Sequence, residues 1–488
     1  MQKYLSWLRT PYWLNNFPKY LLAAVLIIVC LYPKFPFIRI SGTYVSIRAE
    51  DFVILVLGIF TLAKVFLDLR RFLNDKIIIA FLLFFGAGLL SLTSGVFISH
   101  TVTPSIALLH FLRRIEYAVP LFALLALNNK DARNNLDYYI KILMIVTVVI
   151  FLYGFGQRFY NFPVVDTQNS EYSKGIALRW TPGAHINSTF AGHYDLASYV
   201  VLVLPIFTTL FFLTDKRKLK LWLLCAIVPG LWLLGASLSR VSLASWVLAS
   251  CLSLVLVKKY KETLAIIAAA VLIVLAFPSF LGRYQQLLKI VDTSLFKMEV
   301  MAVSSDVSPV APVSEDRSTS IRLYVEWPRA IMAFYKNPAL GTGYSSIGLA
   351  TDNDYLRTLG EVGLLGLTAF SLIFCRIGKV FWKFIKNRKD FDTLETSYIA
   401  GIIGAVVGTF LTAIFIDVFE ASKFATIYWL LIGYAVILVR NEAPQPNGRG
   451  IFSQASSGAE SLRSEASSLQ SASSRSRCFA KGDKQYEP

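Results

Sequence analysis

Apolar runs of roughly 17 to 25 residues, each long enough for an α-helix to cross ~30 Å of hydrocarbon, recur about twelve times along the chain. They lie at approximately 20–38, 51–67, 77–98, 104–127, 139–157, 196–214, 221–238, 241–257, 263–280, 355–375, 397–416 and 424–439. Backbone inside hydrocarbon must satisfy its own hydrogen bonds, so these runs predict helices and an all-α polytopic membrane protein of about 12 transmembrane helices. With 55% hydrophobic and only 16% charged residues, a soluble fold would have nowhere to hide its apolar side chains. Pro33, Lys34 and Pro36 interrupt the first run, which lacks a small-residue cleavage site and reads as a retained anchor.

A net charge of +17 would suggest a nucleic-acid partner for a soluble chain. Here the basic residues concentrate in every second connection, as in Arg70, Arg71 and Lys76, in Lys216, Arg217, Lys218 and Lys220, and in the cluster from Arg376 to Lys389. That is an orientation signal: it places those connections and both termini in the cytoplasm and predicts no nucleic-acid partner. The opposite, extracytoplasmic side has few basic residues in its short connections, Arg39 and Arg48 being the main exceptions.

Two outer connections are long, about 158–195 and about 281–354, and long loops usually carry function. Within the second, which lies between helices 9 and 10, Met301–Ser320 reads as a linker of small, polar and Pro residues. From Ile321 to Tyr335 the apolar residues follow helical spacing, with Arg322, Glu326 and Arg329 on another face. This predicts a helix along the membrane surface, kinked or broken at Pro328. Residues 1–440 thus form a membrane domain, and 441–488, with 11 serines, read as a disordered cytoplasmic tail.

Charge at the membrane edge is costly and marks functional candidates. Arg179, Arg240, Arg283 and Arg322 fall at the outer ends of different helices or in the outer loops, where guanidinium forks suit a phosphate or pyrophosphate. The alternative is anchoring to lipid headgroups. In "NPALGTGYSSIGLATDNDYLRTLGEVGLLGL", Gly341 and Gly343 flank Thr342 in a turn, and Asp352, Asn353 and Asp354 then precede run ten. Asp352 reads either as a helix N-cap or as a general base accepting a proton from an attacking hydroxyl, with Asp354 as the second candidate. Thr358 and Glu361 have capping-box spacing, so the helix has a second possible start there. Glu116 is expected to pair with Arg113 or Arg114 inside run four, and Asp417 and Glu420 either act similarly or balance the outer arginines. No HExxH, GxSxG or Walker motif occurs, the four histidines have no metal spacing, and neither metal nor cofactor is expected.

The layout, the large outer loop, "NSTFAGHYDLASYVVLVLPI", "SLSR" and above all "NPALGTGYSS" followed by "DNDYLRTLGEVGLLGL" resemble the O-antigen ligase and O-antigen polymerase superfamily over most of residues 20–440. The resemblance implies a bacterial inner-membrane glycosyltransferase of cell-surface polysaccharide assembly, with its site on the extracytoplasmic side. Its donor would be an undecaprenyl-pyrophosphate-linked glycan and its acceptor a hydroxyl; the loop arginines, Asn353, Gly341 and Gly343 would surround the donor, and Asp352 would be the base. Ligases of this family usually carry a histidine where this chain has Asp352, a departure that favours a polymerase or a ligase for another acceptor. The reading from another class, a transporter or flippase of a lipid-linked glycan, predicts two related halves, and none is visible.

Overall fold

The computed structural model describes residues 12–33, 36–43, 45–127, 132–164, 179–181, 184–277, 321–348 and 350–441. Arg283, residues 281–320 of the large loop and the tail from 442 lie outside them. The described chain is almost wholly helical: α1 Tyr12–Leu31, α2 Ala49–Leu67, α3 Leu69–Leu73, α4 Lys76–Phe97, α5 Pro104–Leu127, α6 Ala132–Phe159, α7 His193–Leu213, α8 Arg217–Ala236, α9 Arg240–Leu256, α10 Thr263–Ala276, α11 Trp327–Lys336, α12 Asp354–Lys386, α13 Thr393–Thr412 and α14 Ser422–Arg440.

Each apolar run overlaps a helix, the first only as far as Leu31, and the chain is an all-α membrane protein. Among the described residues seven helices (α4, α6, α7, α8, α12, α13 and α14), not the twelve expected, are long and apolar enough to span. Phe17–Leu31, α9 and α10 are apolar but shorter. The two others, α2 and α5, carry charges that meet: Arg113 of α5 holds Asp51 of α2 through two bonds of 2.8 Å and Glu116 through one of 2.8 Å. The pair expected at Glu116 is therefore present, with a second carboxylate from another helix. Run one is misplaced by its prolines: the helix ends at Leu31, and Pro36–Arg39 (β1) pairs antiparallel with Ser46–Arg48 (β2) in a small hairpin that periodicity had not indicated.

Packing follows small residues. Gly404 and Gly408 of α13 sit where a Cβ would come within 2.1 Å and 2.7 Å of backbone carbonyls in α9, so the two helices touch backbone to backbone. Outward faces stay apolar, as at Ile59, Phe66, Leu264 and Leu272, which suits lipid rather than water. The interior helix is α14, whose apolar window is wholly buried. Its Lys423 is fully buried and donates to the carbonyls of Cys30 (3.3 Å), Tyr32 (2.7 Å) and Thr189 (2.7 Å), tying the end of α1 and the segment before α7 to α14. Lys423→Met leaves those carbonyls without that donor and should destabilise the fold by about 2–4 kcal/mol, read as a lowered midpoint of thermal unfolding in detergent. An unchanged midpoint would mean that the ammonium is not holding these segments.

Within α12 the helix breaks at Gly363 (φ +72°), and its freed backbone groups are taken up by the preceding loop. Leu364 and Leu365 donate to the carbonyls of Pro338 and Ala339, while Thr342 and Gly343 donate to those of Gly360 and Glu361. Irregular backbone at such a depth persists only with this kind of internal compensation. Gly341 (φ +70°) makes the contact possible, since a Cβ there would lie 2.4 Å from the carbonyl carbon of Glu361.

Candidate active site

The segment before α12 is shaped by local chemistry. Asn353 is its N-cap, its side-chain oxygen accepting from the amide of Leu356 at 2.9 Å, so the capping role considered for Asp352 belongs to its neighbour and the later start at Thr358 is not used. Asp352 is left in the left-handed region (φ +48°), which Asp tolerates better than most residues. The amides on either side of it, Thr351 and Asn353, both donate to the carboxylate of Asp417, at 2.8 Å and 3.0 Å. One aspartate thus pins the loop that presents the other.

Asp352 is gripped by Arg322, which donates through Nε at 2.9 Å and Nη2 at 2.7 Å. Arg322 also reaches the hydroxyl of Tyr194 at 3.4 Å. Burial raises the pKa of Asp352 above the ordinary carboxylate range, against the opposing pull of Arg322. Asp417 is itself held by Arg357 (Nη1, 2.7 Å), which is almost fully buried and faces Glu420 at 3.1 Å and Glu361 at 3.6 Å. Arg114 adds an ion pair to Glu420 and a 3.0 Å bond to the carbonyl of Phe419. Asp417 and Glu420 therefore do balance arginines, but these are Arg357 and Arg114.

Asp352, Asp417, Glu420, Arg357, Arg113 and Arg48 line one cleft of about 430 Å³, together with Tyr194, Asp195, Tyr117 and Ser422. The starts of four helices, α2, α7, α12 and α14, contribute to its wall. Each such start carries partial positive charge from its aligned peptide dipoles, which favours an anion and offsets part of the charge of Asp195, Asp352, Asp417 and Glu420 in the same wall. Arg48 strengthens that preference. It is 8% exposed, its Nη1 meets only the hydroxyl of Ser422 at 3.2 Å, and its Nε is buried with no hydrogen-bond partner. Arg113 and Arg357, by contrast, already hold carboxylates.

The residues expected from sequence divide accordingly. Asp352 faces the cleft with Arg322 behind it. Asp354 turns inward, its carboxylate accepting from the amides of Val418 (2.8 Å) and Phe419 (3.3 Å). Asn353 caps, and Gly341 and Gly343 are buried between α4 and α12. Arg179 is exposed beside Trp180, and Arg240 is half-buried at the first turn of α9; neither lines the cleft. Arg48, Arg113 and Arg357 were not singled out for the site. Arg48 left a signal as a basic residue on the side that has few of them, and Arg113 as half of an intramembrane pair, whereas Arg357 left none. Among the described residues no three histidine, cysteine or acidic side chains converge to hold a metal ion.

Residues 224–371 match the family model described as O-antigen ligase, which bears out the resemblance to the O-antigen ligase and polymerase superfamily. The matched stretch runs from α8 into α12 and includes Arg322, Asp352 and Arg357, whereas Arg48, Arg113 and Asp417 lie beyond it. No curated protein matches the chain. The match supports glycan transfer of the O-antigen ligase or polymerase type by a multi-pass membrane protein.

Proposed function

We propose that the protein is an inner-membrane glycosyltransferase that moves glycan from an undecaprenyl-pyrophosphate carrier onto an acceptor hydroxyl on the extracytoplasmic side. The observation that carries this reading is the pairing, in one cleft, of a carboxylate on a pinned loop with a buried guanidinium that has no carboxylate of its own. Asp352 removes the proton from the acceptor hydroxyl, whose oxygen attacks the anomeric carbon of the donor's first sugar. The bond from that carbon to the pyrophosphate oxygen breaks, the electron pair leaves with undecaprenyl pyrophosphate, and the sugar is inverted. Arg48 and the four helix starts receive the pyrophosphate charge, which needs donors that are already fixed and dry. Arg179 and Arg240, which do not line the cleft, are assigned to the approach of the lipid-linked donor and its headgroup, and Arg283 keeps the pyrophosphate-binding role expected of it from sequence.

The test is release of undecaprenyl pyrophosphate from a lipid-linked oligosaccharide by purified protein supplied with glycan acceptors. Release with glycan appearing on the acceptor supports the reading; translocation of the intact lipid across vesicles without release would replace it with transport. Arg48→Gln should raise KM for the donor roughly 10- to 100-fold, the worth of about 1.5–3 kcal/mol in a charge-assisted bond, with a smaller effect on kcat. The fold should survive, because only the Ser422 hydroxyl loses a partner. An unchanged KM would remove Arg48 from the anion site.

A further inference from the structure

Arg322 opens a π-turn, Arg322–Glu326, closed by the amide of Trp327 donating to the carbonyl of Arg322. Pro328 sits near the start of the regular helix that follows, where its missing N–H costs nothing, so the break expected at that proline takes the form of a π-turn running into α11. Two contacts fasten α11 itself. Ala330 is buried where Gly360 of α12 comes close, a Cβ on that glycine lying 2.8 Å from the Ala330 carbonyl oxygen, and Arg329 donates Nη1 to the carbonyl of Ile347 at 3.1 Å. Both act beyond the π-turn, which itself stays exposed at Leu323, Tyr324 and Val325, so neither fixes the direction of the Arg322 side chain.

Among the described residues the Arg322 guanidinium hydrogen-bonds two side chains. Asp352 takes Nε at 2.9 Å and Nη2 at 2.7 Å, while the Tyr194 hydroxyl accepts from Nη2 at 3.4 Å and the Tyr194 ring lies 5.7 Å from the guanidinium carbon. Tyr194 belongs to the first turn of α7, a mostly buried helix, and lines the cleft beside Asp352. Its ring is backed by that of His193 at 3.9 Å, and His193 stacks on His185 at 3.7 Å, so one column of rings runs from the segment before α7 to the guanidinium. We propose that Tyr194 is a positioning residue for the transfer reaction, holding the Arg322 fork in the one orientation that keeps the Asp352 carboxylate aimed into the cleft. The inference rests on the glycosyl-transfer reading and concerns what aims its base.

The main chain and the side chain of the base are held separately. Asp417 fixes the amides on both sides of Asp352 but leaves its side-chain torsions free, and those are set by the two bonds from Arg322. A planar fork can deliver two bonds to one carboxylate only in a narrow range of orientations, and a long arginine side chain has many rotamers to lose. The face and hydroxyl of Tyr194 restrict that choice, since an aromatic face attracts a guanidinium laid near it. Because α7 is a separate element from the π-turn and from the Asp352 loop, it supplies a fixed reference for both.

The experiment is a double-mutant cycle on undecaprenyl pyrophosphate release, comparing wild type, Tyr194→Leu, Tyr194→Phe, Arg322→Gln and Tyr194→Leu/Arg322→Gln per folded protein. Tyr194→Leu should lower kcat about tenfold and move donor KM by less than about twofold, because the base is misaimed while the anion end at Arg48 is untouched. Tyr194→Phe keeps the ring on the guanidinium and loses only a long hydrogen bond, so it should retain most of the rate. In the Arg322→Gln background Tyr194→Leu should change kcat by less than about twofold, since its effect passes through Arg322. A loss of the same size in both backgrounds, or a wild-type kcat in Tyr194→Leu, would overturn the positioning role and leave the glycosyltransferase intact. Absence of release by wild type under every acceptor would overturn the parent reading, and the positioning role with it.

Discussion

Asp352→Asn is expected to lower the rate of undecaprenyl pyrophosphate release by 10²- to 10⁴-fold, the usual worth of a positioned general base, while donor binding persists. The substitution is close to isosteric, and the amide oxygen can still accept from Arg322. The loop does not depend on the Asp352 carboxylate for its shape, because Asp417 holds the amides on both sides of it. A lost rate with retained binding therefore reports chemistry rather than collapse. Wild-type activity should fall as pH drops through the Asp352 pKa, since only the ionised form accepts a proton. Burial puts that acid limb above the ordinary carboxylate range. The residual activity of Asp352→Asn should be flat across the limb, as single-turnover release followed by thin-layer chromatography of the lipid would reveal. Full activity in this variant would move the base elsewhere.

Much of this was legible in the sequence because two signals are strong: apolar run length, and a carboxylate set at the start of a run. Run length found the helices, though only seven of those described are long and apolar enough to span, and the carboxylate at the start of run ten lies on the cleft. Run length failed where prolines redirected the chain, at Pro33 and Pro36, since a hairpin of a few residues has no periodicity to read. The arginines were harder. Sequence reading favoured those just outside helix ends, whereas the cleft is walled by Arg48, Arg113 and Arg357, which belong to three different helix regions and meet through packing alone. Arg113 was visible as half of an intramembrane pair, but its second partner, Asp51, lies on α2 and cannot be inferred from spacing on α5. The choice between Asp352 and Asn353 as cap turned on one backbone angle, the positive φ of Asp352 that frees its side chain for the cleft.

Arg357→Met is expected to be the most damaging single change in the membrane domain. The guanidinium is about 2% exposed and stands among Asp417, Glu420 and Glu361, with Nη2 on the carbonyl of Gly348 at 3.0 Å. Removing one member of a buried ionic cluster strands the others, typically at a cost of about 3–5 kcal/mol, and here Arg114 would be left to balance Glu420 alone. The loss should reach the site as well as the fold, because Asp417 could no longer hold one geometry while presenting its oxygens to Thr351 and Asn353. Arg357→Lys separates the two effects. A lysine restores charge but has no fork to span Asp417, Glu420 and Gly348, so this variant should recover much of the stability while release stays well below wild type. In Arg357→Met/Asp417→Asn, which removes both charges, part of the stability lost by Arg357→Met should return, since one stranded carboxylate is gone. Thermal unfolding in detergent, paired with the release assay on the folded fraction, reads each of these. If Arg357→Met unfolds with the wild-type midpoint, the cluster is not what holds the Asp352 loop, and the pinning through Asp417 must draw its stability from the packing of α13 and α14 instead.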